Sequence, residues 1–168
     1  MKRSKFLENM TNDNNHRLLL WNALNSTGGL VVEYGSGYGS TIYLRKYCQD
    51  AKREFISYDN GFDWSKIHDS NFTDNWDNIN HSGSVILIDH APGERRWIDI
   101  EKYKDSFDII VIHDSEPIGA GDYKYENIWG LFKYRIDVKS EGAWATAVSN
   151  KIDLSQFIGD TYKQYIIS

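Results

Sequence analysis

The chain has 168 residues, of which 40% are hydrophobic and 26% charged, and its formal net charge is −5. This balance is typical of a single globular domain and excludes intrinsic disorder and a fibrous protein. The longest apolar runs have only the length of a strand, which excludes a transmembrane helix. The negative charge gives no general reason to bind nucleic acid or anionic lipid. We therefore expect a small-molecule partner, with neither nucleic acid nor a membrane.

Cysteine use and the N-terminus both favour a cytoplasmic setting. Cys48 is the only cysteine, which rules out an intrachain disulfide and a cysteine cluster for zinc. The first residues are basic but lead into no apolar stretch, so no signal peptide is expected. The oligomeric state stays open, and the aromatic content of 14% would supply a homodimer interface.

Predicted strands and helices alternate along the chain. In chain order they are helix 12–25, strand 30–34, helix 40–49, strand 54–59, strand 84–89, helix 94–105, strand 108–113 and helix 125–132. The alternation predicts βαβ units and a parallel sheet. Segments 134–139 and 143–149 then predict an antiparallel hairpin. Only residues 60–84 separate the second strand from the next long one, so the third strand should be short or missing.

A glycine-rich loop directly follows the first predicted strand. It consists of Gly35, Ser36, Gly37, Tyr38, Gly39 and Ser40. Such a loop lets a ligand approach the backbone closely and points helix N-terminal amides at it. Ser40 stands where a dinucleotide fingerprint needs its third glycine, which argues against a nicotinamide dehydrogenase. Glu33 lies two residues before the first glycine, and Asp59 ends the second strand, where its carboxylate can accept hydrogen bonds from a ribose diol.

The run from Glu33 to Gly39, with Asp59 downstream, resembles motifs I and II of class I S-adenosylmethionine-dependent methyltransferases. The resemblance covers most of the chain, because those enzymes also end their sheet with an antiparallel hairpin. It implies an α/β fold, a single three-layer Rossmann-like sandwich with a mostly parallel sheet. Residues 1–29 would form an N-terminal helical lid and residues 30–168 the cofactor-binding core.

The resemblance also implies S-adenosylmethionine as the cofactor. Glu33 would lie near its methionine amino group, Asp59 would bind its ribose, and Trp76 and Asp77 are candidates for the adenine. Trp76 is as readily explained as a core aromatic. The full predicted cofactor set is Glu33, Gly35, Ser36, Gly37, Gly39, Ser40, Asp59, Asn60, Trp76, Asp77 and Asp89.

Two further strands end in similar polar pairs, Asp89-His90 and His113-Asp114. They resemble the positions that hold magnesium in catechol and macrolide sugar O-methyltransferases, which makes Asp89 and Asp114 candidate ligands of Mg²⁺, a cation that prefers oxygen. Ser115 replaces the third ligand, so metal dependence stays open.

Without a metal, His90 is the best-placed general base. His113 and Glu94 are its alternatives, and Asp89 completes the predicted catalytic set. Either histidine can equally cap a strand through backbone hydrogen bonds. Arg95 or Arg96 would bind a substrate carboxylate or phosphate, or simply pair with neighbouring acids.

The function expected from the sequence is methyl transfer (EC 2.1.1.-) to an oxygen, rather than a nitrogen, of a small polar metabolite. Three alternatives stay open: an S-adenosylmethionine-binding protein without turnover, an NAD-binding oxidoreductase on a similar sheet, and a sugar-modifying or nucleotide-binding enzyme.

Overall fold

A seven-stranded sheet forms the centre of the computed structural model, which describes residues 1–117 and 123–157. The strands are β1 Val31–Tyr34, β2 Phe55–Asp59, β3 Asn71–Phe72, β4 Gly83–Ile88, β5 Phe107–His113, β6 Tyr134–Val138 and β7 Ala145–Ser149. Their order across the sheet is β3-β2-β1-β4-β5-β7-β6. Strands β1 to β5 are parallel, and β7 lies antiparallel between β5 and β6. The predicted mostly parallel sheet, short third strand and closing hairpin are confirmed.

Within the described residues, five α-helices connect and cover the strands: α1 Arg3–Phe6, α2 His16–Ser26, α3 Thr41–Ala51, α4 Phe62–His68 and α5 Arg96–Tyr103. The helix predicted over 125–132 is wrong. Two 3-10 turns, Tyr125–Asn127 and Trp129–Leu131, stand there instead. Gly130 is unfavourable in a helix interior by about 1 kcal/mol, and the aromatic side chains of this segment have partners at the end of β5 and in β6.

Apolar side chains alternate between the two faces of the sheet, as the two-residue period of a strand requires. In β4, Val85 and Leu87 belong to one core with α1, α2 and α3, while Ile86 and Ile88 belong to a second core with α5. The chain is therefore a three-layer α/β sandwich, as predicted, in which β1 and β4 at the centre of the sheet are buried and the short edge strand β3 is exposed.

Helix α2 is one of the layers of this sandwich. It packs against β4, β5 and β7, and its leucines are fully buried. Its first residue, His16, reaches the carboxyl end of β5, where its ring lies 4.5 Å from that of His113. The division of the chain into a lid and a core at residue 29 stays a prediction. In the part of the chain that the structure describes, no helix is long and apolar enough to span a membrane.

Candidate functional site

The glycine loop is held tightly against the carboxyl ends of β1, β2 and β4. Gly35 has a φ of +93°, and a Cβ there would lie 2.4 Å from the carbonyl oxygen of Asp89. Both facts require glycine at this position. The amide of Gly35 donates to the carbonyl of Tyr58, and the amide of Asp89 donates to that of Tyr34. The loop and Asp89 therefore lie next to each other, and the cofactor-binding role of both stays a prediction.

Glu33, the acid before the loop, is completely buried. Its carboxylate accepts hydrogen bonds from the hydroxyls of Ser40 at 2.5 Å and Ser57 at 2.6 Å. Burial raises the pKa of Glu33 to about 7, because the two serine bonds only partly offset the loss of hydration. Among the described residues, no cation pairs with this carboxylate. Glu33 is thus a buried acid whose charge the chain itself leaves largely uncompensated.

Asp59, the second acid, lies at the end of β2 and is 8% exposed. One carboxylate oxygen accepts from the amide and the hydroxyl of Ser36, at 2.9 and 3.2 Å, and the other accepts from the amide of Gly61 at 2.7 Å. The indole of Trp64 donates to the carbonyl of Ser36 at 2.6 Å. Asp59 therefore fixes the glycine loop to the end of β2, with Asn60 exposed beside it.

Trp76 and Asp77 make their contacts on the side of the sheet that α5 covers. Trp76 is 4% exposed and stacks on His90, with ring centroids 4.3 Å apart. Asp77 is exposed and pairs with Arg95 at 2.5 Å. These contacts belong to the second core and its surface rather than to the glycine loop, so the adenine-binding role of both residues stays a prediction.

His90 and Glu94 lie in very different surroundings. The side chain of His90 has no exposed surface, and its Nε2 is 3.0 Å from the carboxylate of Asp99, which is also fully buried. Glu94 is exposed on a 3-10 turn before α5. The enclosure of His90 favours a structural role. Catalysis by either residue stays a prediction.

A charged cluster occupies the carboxyl ends of β4 and β5. The Arg96 guanidinium reaches both Asp89 and Asp114, at 3.1 Å each. Nδ1 of His113 lies 3.2 Å from Asp89 and 3.4 Å from Asp114. Burial alone would lower the pKa of His113, but the hydrogen bond and charge of Asp89 and the charge of Asp114 outweigh it and raise the pKa to about 9. Two aspartates and two cations therefore balance each other.

This balance decides whether the cluster suits Mg²⁺. The ligand atoms of Asp89, His113 and Asp114 lie within 4.8 Å of one another. However, Arg96 and His113 already provide both carboxylates with positive charge, and the third donor is a nitrogen, where magnesium prefers oxygen. The donor set does not fit magnesium. From the sequence alone, Arg96 could either bind the substrate or form a local ion pair, because only the fold shows which acids its long side chain reaches.

His16 belongs to a polar stretch that the sequence offered as one wall of a substrate pocket, but a role at the start of a helix was the preferred interpretation of this residue. It is 3% exposed, and within residues 1–117 and 123–157 no side chain donates to or accepts from its ring nitrogens, which lie close to the backbone of Gly39. Its Cε1 lies 3.5 Å from where a Cβ on Gly39 would stand. Burial and the charge of His113 lower the pKa of His16 to about 3. The site thus holds a neutral imidazole against the glycine loop. The polar run Asn14-Asn15-His16-Arg17 before an apolar helix was the available signal.

Solved structures similar to this chain are methyltransferases. The delta-N METTL16 methyltransferase domain has a TM-score of 0.54 at 11% identity, over 83% of this chain and 82% of that one. The fold is the class I methyltransferase fold. Streptococcus pneumoniae Sp1610, a candidate tRNA (m1A22) methyltransferase solved with S-adenosyl-L-methionine, has a TM-score of 0.52 at 12% identity, over 88% and 84% of the two chains.

A ribosomal RNA enzyme shares the same fold. The T. thermophilus 16S rRNA N2 G1207 methyltransferase RsmC, in complex with AdoMet and guanosine, has a TM-score of 0.51 at 11% identity. The alignment covers 76% of this chain but only 36% of that enzyme. No protein-family model and no curated protein sequence matches the chain.

These neighbours correct two expectations from the sequence. Two of them are named for RNA substrates, a ribosomal RNA and a transfer RNA. The expectation of a small polar metabolite as methyl acceptor is therefore wrong, and so is the expectation that nucleic acid is not a partner. The error came from the net charge, which sums over the whole chain and says nothing about a local surface.

Proposed function

We propose that this chain is an S-adenosylmethionine-dependent methyltransferase that acts on RNA. The observation that carries the proposal is the pair of buried acids, Glu33 and Asp59, which flank one glycine loop from two neighbouring strands. Buried carboxylates without a cation are costly for a protein that does not use them. A cofactor with a cationic amino group and a ribose diol supplies a partner for each.

Glu33 and Asp59 would bind different parts of the cofactor. Glu33 would receive the amino group of the cofactor, which restores favourable electrostatics to its charge. Asp59 would exchange its present contacts with Ser36 and Gly61 for the ribose hydroxyls. When bound, S-adenosylmethionine supplies an electrophilic methyl group on a sulfonium. The chain contributes alignment of the acceptor and exclusion of water.

Two nearby groups suit the transfer itself. His16 is a buried, neutral imidazole next to Gly39, so it can orient the acceptor through a hydrogen bond, although its low pKa makes it a weak general base. The ion pairs among Arg96, Asp89, Asp114 and His113 would hold the carboxyl ends of β4 and β5 in position beside the acceptor. Magnesium is not part of this proposal, because the donor atoms of Asp89, His113 and Asp114 do not suit that cation.

An RNA acceptor is supported by the named substrates of two fold neighbours. An S-adenosylmethionine-binding protein without turnover differs from the proposal in one measurable way, because it would bind the cofactor and transfer no methyl group.

Calorimetric titration with S-adenosylmethionine and S-adenosylhomocysteine tests the cofactor, and transfer of a tritiated methyl group to total RNA tests the reaction. Asp59→Asn should weaken cofactor binding about 10-fold or more, since hydrogen bonds to a charged acceptor contribute about 1.5–3 kcal/mol each. Asp63→Asn, an exposed acid on α4, is the matched control and should bind normally. A folded wild-type protein that binds neither compound would refute the proposal.

A further inference from the structure

A pocket of about 250 Å³ opens between the end of β5 and the β6–β7 hairpin. Aromatic and cationic side chains line much of it: Tyr123, Lys124, Tyr125, Trp129, Arg135 and Trp144. Its volume is below the roughly 300–1,000 Å³ of sites for drug-sized ligands. The pocket therefore suits one small planar group rather than an extended molecule.

The aromatic rings on one side of this pocket form a continuous wall. The ring centroids of Tyr123 and Tyr125 are 5.5 Å apart, and those of Tyr125 and Trp129 are 5.6 Å apart. The guanidinium of Arg135 lies 3.8 Å from the ring centroid of Trp129, in a cation–π contact. Trp144 is held by its amide, which donates to the carboxylate of Glu116 at 2.9 Å. Such a surface offers flat faces for stacking beside a positive charge.

The pocket adjoins the charged cluster at the strand ends. The hydroxyl of Tyr125 donates to the carbonyl of His113 at 3.3 Å. The guanidinium of Arg96 lies 4.7 Å from the ring centroid of Tyr123 and pairs with Asp89 at 3.1 Å. The backbone carbonyl of Asp89 leaves no room for a Cβ on Gly35. Two side chains thus separate the aromatic wall from the glycine loop, so a molecule seated on the wall lies next to the proposed cofactor site.

The rim of this pocket carries two cations and two acids. Lys124 and Arg135 are exposed beside the aromatic rings, Glu116 and Glu126 line the same pocket, and Nε of Arg135 donates to the carboxylate of Asp137 at 2.9 Å. Single-stranded nucleic acids are bound by this combination, in which aromatic rings stack the bases and cations contact the backbone. A purely apolar ligand would make no favourable contact with the charged side chains at the rim.

We infer that this pocket binds one unstacked base of a single-stranded RNA on the ring of Trp129, which packs beside the buried Tyr125, with Lys124 and Arg135 on the flanking phosphates. The inference rests on the proposed function and names the base-binding subsite of the same reaction.

Fluorescence anisotropy with a labelled single-stranded RNA of mixed sequence tests the subsite. Trp129→Ala should weaken RNA binding about 10-fold or more, the usual loss when one stacking ring is removed. Trp129→Phe keeps a ring and should retain most of the affinity. Arg135→Gln should weaken binding and reduce its salt dependence. Lys133→Gln, an exposed cation two residues away that lies outside the pocket, should change nothing.

The outcomes separate this inference from the proposed function. Cofactor titration should give the same affinity for Trp129→Ala as for the wild type. If the wild type and Trp129→Ala bind RNA equally, or if the wild type binds cofactor but no RNA, the base subsite is refuted while the cofactor site stands. If RNA binding depends on Trp129 but no cofactor binds, the subsite stands and the methyltransferase proposal fails.

Discussion

Replacing Glu33 with glutamine should make the folded chain more stable and less able to bind its cofactor. Burial raises the pKa of this acid from 4.5 to about 7, so the folded state holds its proton more tightly than the unfolded state does. Stability is therefore highest below the unfolded pKa and is lost as pH rises from about 4.5 to about 7. A pKa that differs by one between the folded and unfolded states corresponds to about 1.4 kcal/mol. The charged form thus costs the fold about 3 kcal/mol above pH 7.

Glutamine removes this cost and preserves the local contacts. Its amide has nearly the shape of the carboxyl group, and the hydroxyls of Ser40 and Ser57 can each donate or accept a hydrogen bond. We expect Glu33→Gln to raise the free energy of unfolding by about 3 kcal/mol at pH 8 and to match the wild type near pH 4. The cofactor affinity should fall about 10-fold or more, because the amide cannot neutralise a cationic amino group.

Urea denaturation from about pH 4 to pH 8 measures the stability, and calorimetry measures the affinity. Glu101→Gln, an exposed acid on α5, is the control and should follow the wild-type curve. The pKa of His16 also differs between the unfolded and the folded state, but the resulting pH dependence is common to both proteins and cancels in their difference. If Glu33→Gln is no more stable than the wild type at pH 8, the charge of Glu33 is not penalised and the prediction is wrong.

Three further predictions concern single groups of the site. The free energy of unfolding of the wild type should fall by about 3 kcal/mol as pH rises from 6.5 to 9, because the aspartates raise the folded pKa of His113 to about 9. This fall should be absent in His113→Gln, and a variant that still shows it in urea denaturation would contradict the prediction. Gly35→Ala should lower the free energy of unfolding by at least about 2 kcal/mol, because φ is positive there and a Cβ would clash with the carbonyl of Asp89. Gly37→Ala, whose Cβ would meet no described atom within 4 Å, should lower it by under about 1 kcal/mol. Thermal unfolding measures both. His90→Gln should lower the melting temperature, since it breaks a buried pair with Asp99, and should leave the pH profile of kcat unchanged; a shifted profile would restore His90 as the general base.

The strands were predictable because their composition is nearly unambiguous. Runs such as Val85–Ile88 and Ile109–Ile112 are apolar at every position, as strands covered on both faces must be. The glycine loop was equally legible, because Gly35 meets a steric demand that leaves no alternative residue. Local rules decide both features, so the sequence alone carries them.

The side-chain partners at the strand ends were not predictable in the same way. Asp89 and Asp114 are adjacent because β4 and β5 pair in parallel register, and this was foreseen. Their common partner, Arg96, comes from a helix, and its reach depends on how α5 packs. His16 enters from α2, which is distant in sequence from both strands. Contacts of this kind depend on tertiary packing, which no local pattern encodes.

The aromatic pocket was inaccessible from the sequence for a related reason. Tyr125 and Trp129 were assigned to a helix, which would have distributed their rings around an axis. The 3-10 turns instead place them side by side against Arg135. A surface that exists only after the hairpin has folded could not be read from the charge of the chain.

The position of β7 has a consequence for synthesis on the ribosome. Residues Ala145–Ser149 fill the gap between β5 and β6, so β5 emerges long before the strand that covers its edge. Until then the nascent chain exposes an apolar strand with unpaired backbone groups, the kind of edge that recruits other chains. Chaperone engagement should therefore peak after β5 is translated and decline once residue 149 is free of the tunnel. A premature stop before β7 should produce an aggregating fragment rather than a weak enzyme.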